Sequence, residues 1–535
     1  MSGPIADPIQ AGLARGWDVI DGARLHAGRT IEADVVIVGS GAGGGVSAEI
    51  LAQAGLKVVI VEEGALKSSS DFKMREAEAY PALYQESAAR KTRDKAINIL
   101  QGRTVGGSTT VNWTSSFRTP DATLAHWQQH FGLADYSTAA LAPWFTRMEE
   151  RLGVAPWLTP PNENNDLLQR GAASLGIATG AIRRNVKGCW NLGYCGMGCP
   201  TNAKQSMLVT TIPSALDHKA TLITRMRAER LVFRGDAVDH LLCSALGADG
   251  LAPTGHTVTL RARHFVVAGG AINSPGLLLR SRAPDPHGLL GRRTFLHPTA
   301  VSGAVFKQRV DGHAGAPQTI YSDHFLDNVP LGGAIGYKLE APPLHPLLLA
   351  TTLAGFGQAH AHMMQQFPHV HALLALLRDG FHAESAGGSV ALQADGAPVL
   401  DYPVTPYVWD GVRRALLSMA EIQFAAGAIS VRPMHEMAAN YTSWAAAQQG
   451  IADLPYRSHV TRLVSAHVMG GCGMSPDPRL GVTGPDGRYH GVRNLSVHDG
   501  SLFPTSIGAN PQLSIYGIVA RLASDLAQEL APPRA

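Results

Sequence analysis

Cysteine is scarce in these 535 residues: five in all, three of them between Cys189 and Cys199. So sparse and lopsided a set excludes the evenly spaced disulfide framework of a small secreted domain. Charge is also thin, at 16% of residues, and the two signs nearly cancel to a net +3. With no basic stripe interleaved with aromatics, nucleic-acid binding has no footprint here. No apolar window approaches the roughly 20 residues of a membrane-spanning helix; the nearest, Pro346–Gly357, is too short. Met1–Thr30 shows no basic stretch followed by an apolar core, so no secretory signal is expected. The cytoplasm is the expected location by default, with export beside a signal-bearing partner as the other route.

What the chain does have is a dinucleotide fingerprint near its start. Ile31–Gly64 holds an apolar run (Val35–Val38), the turn Gly39-Ser40-Gly41-Ala42-Gly43-Gly44, a helical stretch, a second apolar run (Val58–Val61) and then Glu62. This is a βαβ unit. Gly39 makes the tight turn, Gly41 lets backbone approach a pyrophosphate, and Gly44 lets helix and strand pack closely. The helix N-terminus offers free N–H groups to the phosphate charge. Glu62, closing the second strand, suits a ribose hydroxyl. The motif alone leaves FAD and NAD both open.

Met1–Thr30 reads as an N-terminal arm, and Lys67–Leu100 as a polar wrapping segment broken at Tyr80-Pro81. Next comes Gly102-Arg103-Thr104-Val105-Gly106-Gly107-Ser108-Thr109-Thr110-Val111-Asn112, whose small residues let backbone pass close to a flat ligand. Further on, a strand-like Arg261–Ala268 leads into Gly269, Gly270 and Ala271-Ile272-Asn273-Ser274-Pro275. Ser274 is the expected cap of the following helix, with Pro275 at its first position.

Gly102–Asn112 and Gly270–Ser281 resemble the two signatures of the glucose–methanol–choline (GMC) oxidoreductases, flavoenzymes that bind FAD and oxidise alcohols. The resemblance runs from about Ile31 to Leu530. It implies an α/β (mixed α+β) fold, a Rossmann-type FAD-binding domain interleaved with a substrate domain built on an antiparallel sheet with covering helices. The corresponding division is 31–120, 205–295 and 461–535 for FAD, with 121–204 and 296–460 for substrate. Thr221–Phe233 alternates like a strand and resembles the family strand along the adenine, with Ala228 as a contact. FAD contacts are also implied for Gly39, Gly41, Gly43, Gly44, Glu62, Arg103, Val105, Gly106, Gly107, Thr109, Asn112, Ala268, Gly269 and Ser274.

Near the C-terminus, His467-Val468-Met469-Gly470-Gly471 resembles the family's catalytic histidine segment. Val497-His498-Asp499-Gly500 is followed by Ile507-Gly508-Ala509-Asn510-Pro511. The resemblance places Asp499 and Gly500 along the ribityl–phosphate arm, Pro511 at the flavin, and Asn510 in the second active-site position. Alcohol oxidation needs hydride loss from carbon and proton loss from oxygen. A histidine near its unperturbed pKa suits the proton, so His467 is the expected general base and Asn510 its hydrogen-bonding partner. Asn510 before Pro511 is also a helix N-cap pattern, for a helix over Pro511–Leu530.

Cys189, Cys195 and Cys199 share one glycine-rich loop ending in Cys-Pro. Three readings stay open: ligands of an iron–sulfur cluster, a disulfide with a spare thiol, or a packed loop near the flavin. Leu344–Arg378, rich in His, Met and Leu, is expected as an apolar helical cover over the substrate entrance, suiting a medium or large apolar alcohol. Oxygen, a quinone or a cytochrome remain alternative electron acceptors. A non-redox lyase-type relative and a subunit of an electron-transfer complex are the rival functions.

Overall fold

Ten residues of continuous strand feed straight into the fingerprint turn, and everything else is arranged around that strand. The structure is a computed structural model that describes residues 5–531. Arg29–Val38 pairs in parallel with Val58–Val61 on one side and with Pro253–Val267 on the other. Val35, Val36 and Ile37 are completely buried. That is what a strand covered on both faces requires, and it explains an apolar run with no alternation. Thr221–Thr224 continues the parallel sheet beyond Val58–Val61, and Leu495–Val497 joins beside Pro253–Val267. Met226–Arg234 and Ala237–Leu246 extend it antiparallel. Helix Ala42–Gln53 is buried along most of its length and packs against the C-terminal helix Gln512–Leu530.

The second large sheet is mostly antiparallel. Thr299–Val305 pairs with Val370–Leu377, which pairs with Tyr337–Glu340, then Ile320–Ser322. Helix Pro406–Ala425 covers one face. Period-two alternation splits Val370–Leu377 between two environments: Leu373, Ala375 and Leu377 join the core under that helix, and Ala372, Leu374 and Leu376 join a separate apolar cluster on the other face. A mixed α/β architecture with a Rossmann-type sheet beside an antiparallel one is therefore the fold.

Several local expectations are corrected. The N-terminal arm is structured over its described residues: Pro8–Ala14 is a helix capped by Asp7, and Val19–Asp21 adds a parallel strand beside Thr221–Thr224. Met1–Pro4 lie outside the described residues. Thr221–Phe233 is two strands broken at Arg225, whose φ is +48°. Pro81 does not break a helix but sits within Glu76–Leu83. Ile97–Ile99 and Leu463–Ser465 pair with each other and join the antiparallel sheet rather than the nucleotide-side one. Leu344–Arg378 is helical only in its first half, Pro346–Thr352 and Gly357–Gln365, before becoming strand. Among the described residues no helix is long and apolar enough to cross a membrane.

Candidate active site

One cavity of about 1210 Å³ runs between the two sheets. Pockets for a drug-sized ligand run to roughly 300–1,000 Å³, so it has room for a dinucleotide and a substrate together. At one end lie Gly39, Gly41, Gly43 and Glu62; at the other lie His467, Asn510 and Pro511. Gly107, Thr109, Asn112, Ala228, Ala268, Gly269, Ser274, Asp499 and Gly500 also line the cavity. Residues far apart in sequence thus converge on one elongated space.

The glycines at the first end are required by neighbours. Gly39 has φ +99°, open to glycine and strained for any L side chain. A Cβ on Gly43 would lie 1.6 Å from the His498 carbonyl oxygen, and one on Gly44 would lie 1.9 Å from that of Gly39. Across the cavity Gly107, at φ +52°, has no space for a Cβ, which would sit 2.8 Å from the Gly41 Cα. Gly41 precedes helix Ala42–Gln53 with no side-chain cap. The first N–H groups of that helix are left for an anion beside the turn.

Glu62 knots this end together. Its carboxylate accepts the Ser40 N–H at 3.1 Å, the Ser40 hydroxyl at 2.6 Å and the Gly64 N–H at 2.8 Å. The Ser40 oxygen in turn accepts the Gly106 N–H at 3.0 Å. Burial pushes the Glu62 carboxyl upward and these hydrogen bonds pull it back.

Gly44, Arg103, Val105 and Gly106, expected as cofactor contacts, do not line the cavity. Gly44 is consumed by helix–strand packing, and Val105 is wholly buried. Gly106 faces Thr110 and Leu208, and the largely buried Arg103 side chain pairs with Glu63 at 3.1 Å and with the Gly250 carbonyl. These four shape the walls from behind.

Ser274 is not a helix cap. It is the second residue of helix Asn273–Arg280, with Pro275 third. Its hydroxyl oxygen accepts the Gly269 N–H at 2.9 Å and donates to Asp499 at 2.5 Å. Asp499 also takes the Gly270 N–H at 2.8 Å and both the N–H and hydroxyl of Ser501. The carboxylate thus fastens two backbone turns that share the middle of the cavity.

At the far end His467 follows strand Leu463–Ser465, and its Nδ1 lies 3.0 Å from Nδ1 of His297. His297 was not singled out by motif; only the pairing of Arg292–Leu296 with Val468–Gly470 brings it here. Burial holds His467 down to about 4 and so keeps it neutral. Asn510 is no N-cap either: helix Gln512–Leu530 starts after Pro511 without a side-chain cap. Its amide instead donates to Glu340 at 3.3 Å. Glu340 also receives the Gln318 amide at 2.6 Å, and burial lifts its carboxyl to about 7.

The three-cysteine loop does not gather its sulfurs. Cys189 accepts the Asn191 N–H, Cys195 lies 3.8 Å from the Arg184 guanidinium, and Cys199 lies 3.4 Å from the Thr201 hydroxyl. A short turn, Cys195–Met197, separates the last two. No group of three or more His, Cys, Asp or Glu among the described residues is placed to hold a metal ion. All five cysteines are free. The iron–sulfur reading is therefore unsupported, and so is the disulfide. Instead the Lys204 ammonium ties the loop to the cavity wall, donating to the carbonyls of Thr110, Asn112 and Cys195.

The chain matches the GMC oxidoreductase family in two parts, residues 80–299 and 383–518, and it belongs to that family. An uncharacterised GMC-type oxidoreductase of Mycobacterium tuberculosis is 31% identical over 92% of this chain and 75% of its own. A paromamine 6'-oxidase of Streptomyces fradiae is 30% identical, over 98% and 95%. A long-chain-alcohol oxidase of Arabidopsis thaliana is 26% identical, over 93% and 67%. Among solved structures, a pyridoxine 4-oxidase superposes with a TM-score of 0.67 at 18% identity, covering 92% of this chain and 98% of that one. That last likeness concerns the fold.

Proposed function

We propose that this chain binds FAD and oxidises a medium or large apolar alcohol to an aldehyde or ketone. The observation that carries the reading is the continuity of the cavity, from a glycine turn built for a pyrophosphate to His467 and Asn510, and on into an apolar wall. That wall comprises Val301, Leu344, Leu348, Leu374, Leu376 and Met434. Long-chain-alcohol oxidation by a relative agrees with it.

The residues present fit FAD. Gly39, Gly41, Gly43 and Gly107 leave a cradle that side chains would fill, and a free helix N-terminus opens on it. Glu62 and Ala228 would take the adenosine half, Asp499 and Gly500 the ribityl arm, and Pro511 the region next to the flavin ring. Bound there, FAD supplies a two-electron acceptor for the hydride that leaves the alcohol carbon.

The chain's own part is to hold the alcohol oxygen while its proton leaves. His467 and Asn510 flank the same end of the cavity, each steadied from behind by a buried partner, His297 and Glu340. The apolar wall orients the alkyl body and excludes water from the reacting carbon. The antiparallel sheet supplies Val301, Leu374 and Leu376 to the substrate wall.

Anaerobic mixing of the purified yellow protein with a panel of alcohols tests this. The flavin absorbance is expected to bleach with long-chain alcohols and recover with an electron acceptor. No bleaching with any alcohol would overturn the assignment in favour of a non-redox relative.

A further inference from the structure

His297 and His467 meet because of strand register. Phe295 lies opposite Met469 and Leu296 opposite Val468, so the next pair outward is His297 with His467. Their rings are nearly perpendicular, at 87°, and the two Nδ1 atoms are 3.0 Å apart. At that distance one nitrogen donates and the other accepts.

The other nitrogen of His297 decides which. Its Nε2 receives the backbone N–H of Gly508 at 3.1 Å. A backbone amide only donates, so this Nε2 must keep its lone pair. A neutral His297 then carries its proton on Nδ1 and donates it to Nδ1 of His467. A neutral His467 is left with its own proton on Nε2. That atom has no partner in the described protein and is not among the buried unpartnered atoms, so it opens on the cavity that His467 lines.

We propose that His297 is a positioning residue that holds His467 in the Nε2–H tautomer, so that His467 meets the substrate oxygen as a hydrogen-bond donor. The general-base role expected from the motif needs a free lone pair on Nε2. That arrangement would place a proton on Nδ1 of His467, directly against the N–H of His297. What the pair supplies instead is a hydrogen bond that stabilises the negative charge left on the oxygen when the hydroxyl proton passes to solvent water. Gly508 is part of the device. It adopts φ +76°, and a Cβ there would come within 2.8 Å of the Arg378 side chain. The same short loop carries Asn510, so one segment fixes the polarity of one site residue and the position of the other.

The identity of the oxygen rests on the proposed alcohol oxidation; the tautomer does not. The test is nitrogen NMR of the flavin-loaded protein labelled at the histidine ring nitrogens, with the His467 signals identified by their loss in His467→Ala. In the unaltered protein Nδ1 of His467 is expected to read as a bare nitrogen and Nε2 as N–H. His297→Asn, which offers an amide N–H in place of Nδ1–H, keeps that pattern, and His297→Leu turns it into a mixture of tautomers. A protonated Nδ1 in the unaltered protein, or an unchanged pattern in His297→Leu, overturns the proposal. Turnover gives a second arm. His467→Ala is expected to lower kcat about 100-fold or more, and His467→Gln, which retains a donor near Nε2, to recover at least about tenfold of that loss. Equal loss in both variants would restore the general base. If no alcohol bleaches the flavin, the functional assignment falls while the ring pattern still decides the tautomer.

Discussion

The Asn510 side chain is oriented by a carboxyl group that never reaches the cavity. Glu340 is fully buried and accepts the Asn510 amide at 3.3 Å, with the Gln318 amide at 2.6 Å on the same oxygen. Its other oxygen has no partner. An orphaned, desolvated carboxylate oxygen is costly, and protonation relieves the cost. This is the physical cause of a carboxyl lifted to about 7.

Removing that ionisation makes stability less dependent on pH. The folded pKa lies above the unfolded value of 4.5, so between those pH values the fold binds a proton that the unfolded chain has released. Stability from this group is complete below 4.5 and falls as pH rises to about 7. Glu340→Gln is therefore expected to be more stable, relative to the unaltered protein, at pH 8 than at pH 5. The differential is of the order of 3 kcal/mol, measured by denaturant unfolding at both pH values. An equal difference at the two pH values would show that Glu340 ionises freely in the fold.

Gly43→Ala should separate cofactor retention from the rest of the fold. The added methyl would meet backbone, the His498 carbonyl, which cannot swing aside as a side chain can. Helix Ala42–Gln53 must then lift from the residues beside Asp499. The protein is expected to purify with less than about a tenth of its flavin while keeping most of its far-ultraviolet circular dichroism, at a cost of about 1–3 kcal/mol. Full flavin occupancy would mean that the turn has slack absent from this geometry.

The sequence made the nucleotide end legible because glycines there are demanded by backbone contacts, and such demands leave a fixed local spacing. A Cβ on Gly39 or Gly43 would meet backbone, and Glu62 closes the strand beside them. Motif spacing could not tell lining from support, which is why Arg103 and Gly106 turned out not to line the cavity. Ser274 and Asn510 misled for a related reason. Both fit a capping pattern, yet each side chain is claimed by a distant carboxyl group, Asp499 or Glu340, that no local window contains. His297 left no signal at all, since its role depends on a strand pairing between residues about 170 positions apart in the chain.

Acid should unfold this protein early. His264, His371 and His498 are almost completely buried, and desolvation pushes each down to about 3. They are neutral in the fold and take up protons once unfolded. Their contribution to stability is complete above the unfolded value of 6.5 and is lost as pH falls below it. From pH 6.5 to 5 each should cost about 2 kcal/mol, a combined loss visible as a steep drop in Tm. His498→Asn, which can still meet the Ser47 hydroxyl now 2.8 Å from the imidazole, should flatten that drop. A profile as steep as the unaltered protein's would exclude His498 as a contributor.

Substrate size should be read by one face of one strand. Leu374 faces the cavity with Val301 beside it across the sheet, whereas Leu373 points into the opposite core. If the alkyl chain lies along that wall, each added methylene should lower KM about fourfold, from about 0.8 kcal/mol of burial, until the wall ends. Leu374→Asn places a polar amide in its path and should flatten this dependence, raising KM for long alcohols at least about tenfold while leaving short ones nearly unchanged. Leu373→Ala should do the reverse: it loses about 2–5 kcal/mol of stability through the cavity it leaves, yet preserves the chain-length preference. The two variants differ by one residue and by opposite faces. A shared effect on KM would mean that the alcohol binds elsewhere, and a shared effect on stability alone would mean that the wall is only core.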